Sequence, residues 1–205
     1  LLLLMAIITA AFVHRAALMS LSVLLAVSIA IAALIYDKWG KHHSWWGPIN
    51  MGLCRGFNLL LGISIVPAAI TRYWWLGFFP VIYIAAITMI SRDEVHGGKK
   101  KTLYAAALLY LIVLAAISWL AYTNGQLLKA TGFILLFAVM IFFPLSKAIK
   151  DPVAANIRQS VKAGVLAIIL MNAAWAAAFG AAGWALLILC LLPLSILLAR
   201  LFAVT

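Results

Sequence analysis

Apolar residues run through this chain in eight stretches, roughly 1–13, 16–36, 50–70, 77–91, 102–122, 131–149, 163–180 and 184–203. Most approach the ~20 residues that a helix needs to cross a hydrocarbon layer about 30 Å thick. A backbone inside that layer must satisfy its own hydrogen bonds, which leaves helices and closed barrels. The strict alternation of a membrane barrel strand is absent. The chain is 68% hydrophobic and 9% charged, with a mean hydropathy of +1.19, far from a soluble globular balance. The expected fold is all-α: one polytopic transmembrane helix bundle over 1–205, of about eight helices.

The first stretch is short for a span, and the first residue is leucine; we expect an N-terminal part ahead of Leu1. That stretch has neither a basic flank nor a small-residue cleavage site, so it does not read as a secretory signal. Cys54 and Cys190 are two isolated thiols in apolar segments, too few for a disulfide framework or a zinc site. Pro67, Pro80, Pro144 and Pro193 interrupt several segments, which membrane helices tolerate. Gly52-xxx-Gly56 and the alanine-rich run 173–178 read as close helix contacts.

Alternate connections place Arg15, Arg72 and Lys129 on one side of the membrane. The other side receives Lys38, Lys41, Arg92, Lys99, Lys100, Lys101, Lys147, Lys150, Arg158, Lys162 and Arg200, so the net charge of +11 gathers there. The excess of lysine and arginine makes that side cytoplasmic. Attraction of anionic headgroups covers Lys99 to Lys101 well.

That attraction does not cover the stretch 36–58. It joins two apolar segments, yet it holds Lys38, Lys41, His42, His43 and Arg55 along with Asn50 and Asn58. Gly47-Pro48 is a helix start signal. Asn50, Cys54 and Asn58 then follow at i, i+4 and i+8 on one face, and Arg55 lies about 60° from Asn58 at 100° per residue. Polar groups within a membrane helix tend to face the bundle interior and mark a site. The alternative for Arg55 is snorkelling, since its long stem can carry the guanidinium back to water.

Other polar features have structural readings. Asp93 and Glu94 beside Arg92 and Lys99 read as a solvated loop with surface ion pairs. Asp37 with Lys41 reads as an i, i+4 helical pair. The adjacent His42 and His43 diverge by about 100° on a helix and make a poor metal pair. Trp45, Trp46, Trp74 and Trp75 read as belt residues at the two membrane interfaces. Asn172 and Trp175 suggest an interhelical hydrogen bond. The nucleophile elbow, the phosphate-binding glycine loop and the dinucleotide fingerprint are all missing.

Three motifs carry a resemblance. They are Tyr36-Asp37-xx-Gly40-Lys41, then Gly47-Pro48-x-Asn50-Met51-Gly52-xx-Arg55-Gly56-x-Asn58, and the loop Ser91-Arg92-Asp93-Glu94-Val95-His96-Gly97-Gly98-Lys99. Together they resemble the UbiA superfamily of membrane prenyltransferases, closest to its EboC-like members from bacterial secondary-metabolite clusters. The resemblance implies a cytosol-facing cavity in a bacterial plasma membrane, open sideways to lipid. It implies two aspartate-rich motifs whose Mg²⁺ ions hold a prenyl diphosphate, with transfer of the prenyl group to an aromatic or lipid acceptor. Hard oxygen ligands with Mg²⁺, helped by lysine or arginine, suit a diphosphate leaving group.

Carried over to this chain, the resemblance assigns Tyr36, Lys41, Asn50, Arg55 and Asn58 to substrate binding. It gives Asp93 and Glu94 to metal binding and catalysis. The second motif departs from the family, because a glycine stands where the second carboxylate is usual, and the first motif is absent from 1–205. His96 is an uneven substitute for a hard magnesium ligand. Two functions stay open: a magnesium-dependent prenyltransferase, and a non-catalytic membrane component that binds or exports a small metabolite or lipid. A secondary transporter ranks below both, since all four acids fall near the interface rather than at mid-membrane depth. Membrane lipid is an expected partner, and nucleic acid is not.

Overall fold

The computed structural model describes Met5 and residues 19–40, 46–92 and 99–201. Its helices are α1 (Met19–Lys38), α2 (Trp46–Ile63), α3 (Pro67–Tyr73), α4 (Phe78–Ser91), α5 (Lys100–Thr123), α6 (Leu127–Lys150), α7 (Ala154–Ala178) and α8 (Ala182–Leu201). A 3₁₀ turn, Trp74–Gly77, links α3 to α4. The described residues contain no strand. Five helical stretches are long and apolar enough to cross a membrane: Leu21–Lys38, Ala68–Ser91, Lys100–Thr123, Leu127–Lys150 and Ala154–Ala178. The protein is an all-helical integral membrane protein. The first expected stretch, 1–13, lies outside the described residues apart from Met5.

Three boundaries differ from the sequence reading. The stretch expected over 50–70 ends at Ile63, because Val66 takes an extended conformation (φ −111°, ψ 104°) ahead of Pro67. Proline crowds the residue before it out of the helical region. Pro67 therefore starts a helix instead of interrupting one. The short fourth stretch expected at 77–91 becomes a run from 68 to 91, continued through the 3₁₀ turn. Finally, α7 begins at Ala154 rather than near 163, just beyond Pro152, so Arg158 and Lys162 are helical.

The chain divides into two compact units, 1–85 and 86–205. In the first, α1 and α2 pack antiparallel and are tied near both ends. Asn50 Nδ2 donates to the Ala32 carbonyl at 2.8 Å. At the far end Ser64 Oγ donates to the Leu61 carbonyl at 2.7 Å. That uses its single proton, so Ser22 must be the donor in the 2.8 Å Ser22–Ser64 contact. The expected close contact at Gly52-xxx-Gly56 is present. A methyl on Gly52 would meet Val81 Cα at 2.9 Å, and one on Gly56 would run into the Gly77 carbonyl oxygen.

In the second unit, α7 touches α5, α6 and α8. Its alanines at 167, 173, 174, 177 and 178 are all buried, which lets the neighbours approach closely. Two turns close the same end of this unit. After α5, Gly125 (φ 67°) precedes a Gln126 N–H bond to Ala121 O; after α7, Gly180 (φ 85°) precedes an Ala181 N–H bond to Ala176 O. Both are glycine-dependent helix stops with a six-to-one bond. Asn124 Nδ2 donates to Ala178 O at 3.1 Å and latches one turn to the other.

Candidate functional site: an apolar groove between α1 and α2

Two helix faces of matching period meet in the first unit. On α1, Ser28, Ala32, Ile35 and Trp39 recur at i, i+4, i+7 and i+11; on α2, Trp46, Asn50, Leu53 and Phe57 do the same. Each set therefore lies on one side of its helix. Together with Ile31, Ile49 and Gly40 they line a groove of about 520 Å³. Eleven residues at 1.5 Å each make it about 16 Å long, roughly half the hydrocarbon thickness of a bilayer. Its lining is apolar except for Ser28 and Asn50. Ser28 already spends its proton on the Leu24 carbonyl, and Asn50 is buried against α1.

The groove narrows to a neck at Gly40 and Gly47. A methyl on Gly47 would sit 2.6 Å from the Gly40 carbonyl oxygen, so the two ends of the α1–α2 connection touch there. The same probe on Gly40 would meet the Tyr36 ring at 3.2 Å and the Asn50 amide at 3.5 Å. Tyr36 and Asn50 thus flank one backbone position. The Lys38 ammonium lies 4.7 Å from the centroid of the Trp39 ring, which sets a cation beside the groove lining.

The remaining candidates fall elsewhere. Arg55 and Asn58 share a face, as their spacing implies, but it is a third face of α2. Met51, Arg55, Asn58 and Gly62 recur at i, i+4, i+7 and i+11, and all four are exposed. Along the expected polar stripe Asn50 is buried, Cys54 half-buried and Asn58 exposed. Asn172 and Trp175 also part, the first exposed and the second buried. Lys41, Asp93 and Glu94 lie outside the described residues.

The groove can hold a single flexible hydrocarbon chain, with one amide and a phenol ring at its neck. Magnesium takes carboxylate, phosphate and water oxygens in octahedral geometry. Ser28 and Asn50, the polar side chains in the lining, do not fit that ion. No group of three His, Cys, Asp or Glu side chains that could hold a metal occurs among the described residues. Sequence reasoning missed Trp39 and Trp46 as groove walls. The signal available was the shared 4-3-4 spacing of 28/32/35/39 and 46/50/53/57. No family model, curated protein or solved structure matches the chain.

Proposed function

We propose that the chain is a UbiA-type integral membrane prenyltransferase, moving a prenyl group from a prenyl diphosphate to an aromatic or lipid acceptor. The observation that carries this reading is the groove. It is long and apolar enough for one isoprenoid tail, and it ends at the Tyr36–Gly40–Asn50 neck. In this reading the tail lies between α1 and α2 with its first carbon at the neck, sheltered from water. Tyr36 and Asn50 line the pocket around the reacting end, and Lys41 holds the diphosphate. The carbon–oxygen bond breaks with its electron pair leaving on the diphosphate, the acceptor's electron pair closes on the allylic carbon, and the proton the acceptor loses goes to the released diphosphate. Magnesium, when bound, offsets the leaving group's charge. Asp93 and Glu94 are the residues that would hold it. The resemblance also assigns Arg55 to the diphosphate and Asn58 to the pocket wall, although both stand outside the groove lining. In this reading the lysine- and arginine-rich side, and the neck with it, faces the cytoplasm of a bacterial plasma membrane.

The test is diphosphate release by the full chain in detergent with Mg²⁺ and prenyl diphosphates of graded length. Lys41→Ala is expected to lower release about tenfold or more, the scale of one lost charge-assisted contact. Ser28→Trp fills the groove end far from the neck, so the longest prenyl diphosphates should be lost first while the shortest still react. Equal loss at all lengths would remove the groove from the reaction. Release that survives Arg55→Ala would remove Arg55 from the site. The absence of a carboxylate among the described residues of the groove lining favours a second reading, a non-catalytic carrier of a chain-bearing lipid or metabolite. That reading expects retained lipid and no diphosphate release.

A further inference from the structure

The two ends of the second unit are chemically opposite. The latched end carries exposed Trp119, Tyr122 and Trp184, with Lys129 nearby. Exposed tryptophan and tyrosine settle at the headgroup boundary, so this rim fixes the depth of the unit. Helices α5, α6 and α7 have 24, 24 and 25 residues, which is about 36–38 Å of helix. That exceeds a hydrocarbon layer of about 30 Å by one to two turns. With the aromatic rim fixed, the surplus emerges at the opposite end.

That opposite end is where the cations collect. Lys100 and Lys101 open α5, Lys147 and Lys150 close α6, and Arg158 and Lys162 occupy the first turns of α7. All six are exposed. Asp151 is the acid among the described residues of this end. Neither α5 nor α7 has an acid in its first turn or a side-chain cap. Cations at a helix N-terminus add to the positive end of the helix dipole instead of offsetting it. The Lys147 ammonium lies 4.4 Å from the centroid of the Phe143 ring, at the border between apolar face and charge. Helices about 36–38 Å long, set at one headgroup boundary by the aromatic rim, carry these cations to the headgroup level of the other.

We infer that this end of the second unit is a binding collar for acidic phospholipid headgroups, which it holds in preference to zwitterionic ones. The inference is independent of the prenyl-transfer reading, since no groove residue takes part. The collar draws its selectivity from net charge at the phosphate level, where each lysine contributes about 1 kcal/mol, or roughly fivefold.

The experiment reconstitutes the full chain in phosphatidylcholine bilayers containing trace spin-labelled phosphatidylglycerol or spin-labelled phosphatidylcholine. The motionally restricted fraction then gives the relative association of each. A preference of at least fivefold for phosphatidylglycerol is expected at low salt, falling severalfold at 0.5 M NaCl. The combined variant Lys100→Gln, Lys101→Gln, Lys147→Gln and Lys150→Gln should lose most of the preference, and Lys129→Gln at the aromatic end should keep it. Removing four charges can disturb insertion, so the four matching Lys→Arg changes serve as the charge-retaining companion and should behave as wild type. The wild-type salt series needs no variant. Equal restriction of both lipids, or a preference indifferent to salt, overturns the inference. Displacement of phosphatidylglycerol by inorganic phosphate beyond that caused by chloride at equal ionic strength also overturns it, in favour of a free-phosphate site.

Discussion

Gly56→Ala is expected to destabilise the first unit by about 2–3 kcal/mol, at the upper end of overpacking costs. The new methyl would run into the Gly77 carbonyl oxygen, a backbone atom at the 3₁₀ turn with no rotamer to move aside. Either α2 shifts away from the turn or the turn itself distorts. Gly62→Ala on the same helix is the control, because a methyl there meets nothing within 4 Å. That change should be neutral or stabilising by up to about 1 kcal/mol, the helix-propensity difference between the two residues. Thermal unfolding of the two variants in one detergent reads the contrast. Equal midpoints for both would show that the α2–Gly77 approach is not as close as described.

Asn50→Asp is expected to cost about 3 kcal/mol, whereas Asn50→Leu costs at most about 1 kcal/mol. The amide Nδ2 donates to the Ala32 carbonyl from a buried position. An interhelical hydrogen bond in a membrane protein averages only about 0.6 kcal/mol, so replacing the amide by an apolar side chain is tolerable. A carboxylate in the same place has no proton to give and faces a carbonyl oxygen. It must be desolvated as an anion or take up a proton, and an aspartate at membrane depth costs about 2.5–3.5 kcal/mol. Unfolding midpoints measure this ordering. Diphosphate release supplies a second readout: if Asn50 orients the reacting end of the substrate, Asn50→Leu keeps the fold and loses turnover. A Leu variant less stable than the Asp variant would reverse the account.

The helical membrane class was readable from the length of the apolar stretches alone, and five helical stretches are long and apolar enough to cross a membrane. Gly52 and Gly56 were readable too, because small residues four apart can serve only one packed face. What the chain order hides is which face of α2 meets which neighbour. Spacing alone puts Arg55 beside Asn58, and they are neighbours; it does not reveal that their stripe faces outward while Asn50 turns inward. Only α1, docked across from residue 50, settles that. The groove is likewise a long-range product, since neither period-matched face is hollow by itself. Pro67 misled for a local reason. Proline inside an apolar run reads equally as a tolerated kink or as a helix start, and the extended conformation at Val66 decides for the start.

The three-residue turns 124–126, 151–153 and 179–181 make every large contact in the second unit a contact between sequence neighbours, with α5 against α7 the modest exception. Such a topology has low contact order and assembles quickly. As the chain emerges from the ribosome, α5 and α6 can pair as a hairpin before α7 exists. Arrival of the second glycine turn then lets Asn124 find Ala178 O and lock the rim. Assembly of this half should thus proceed helix by helix in the order of synthesis, with the aromatic edge locked last.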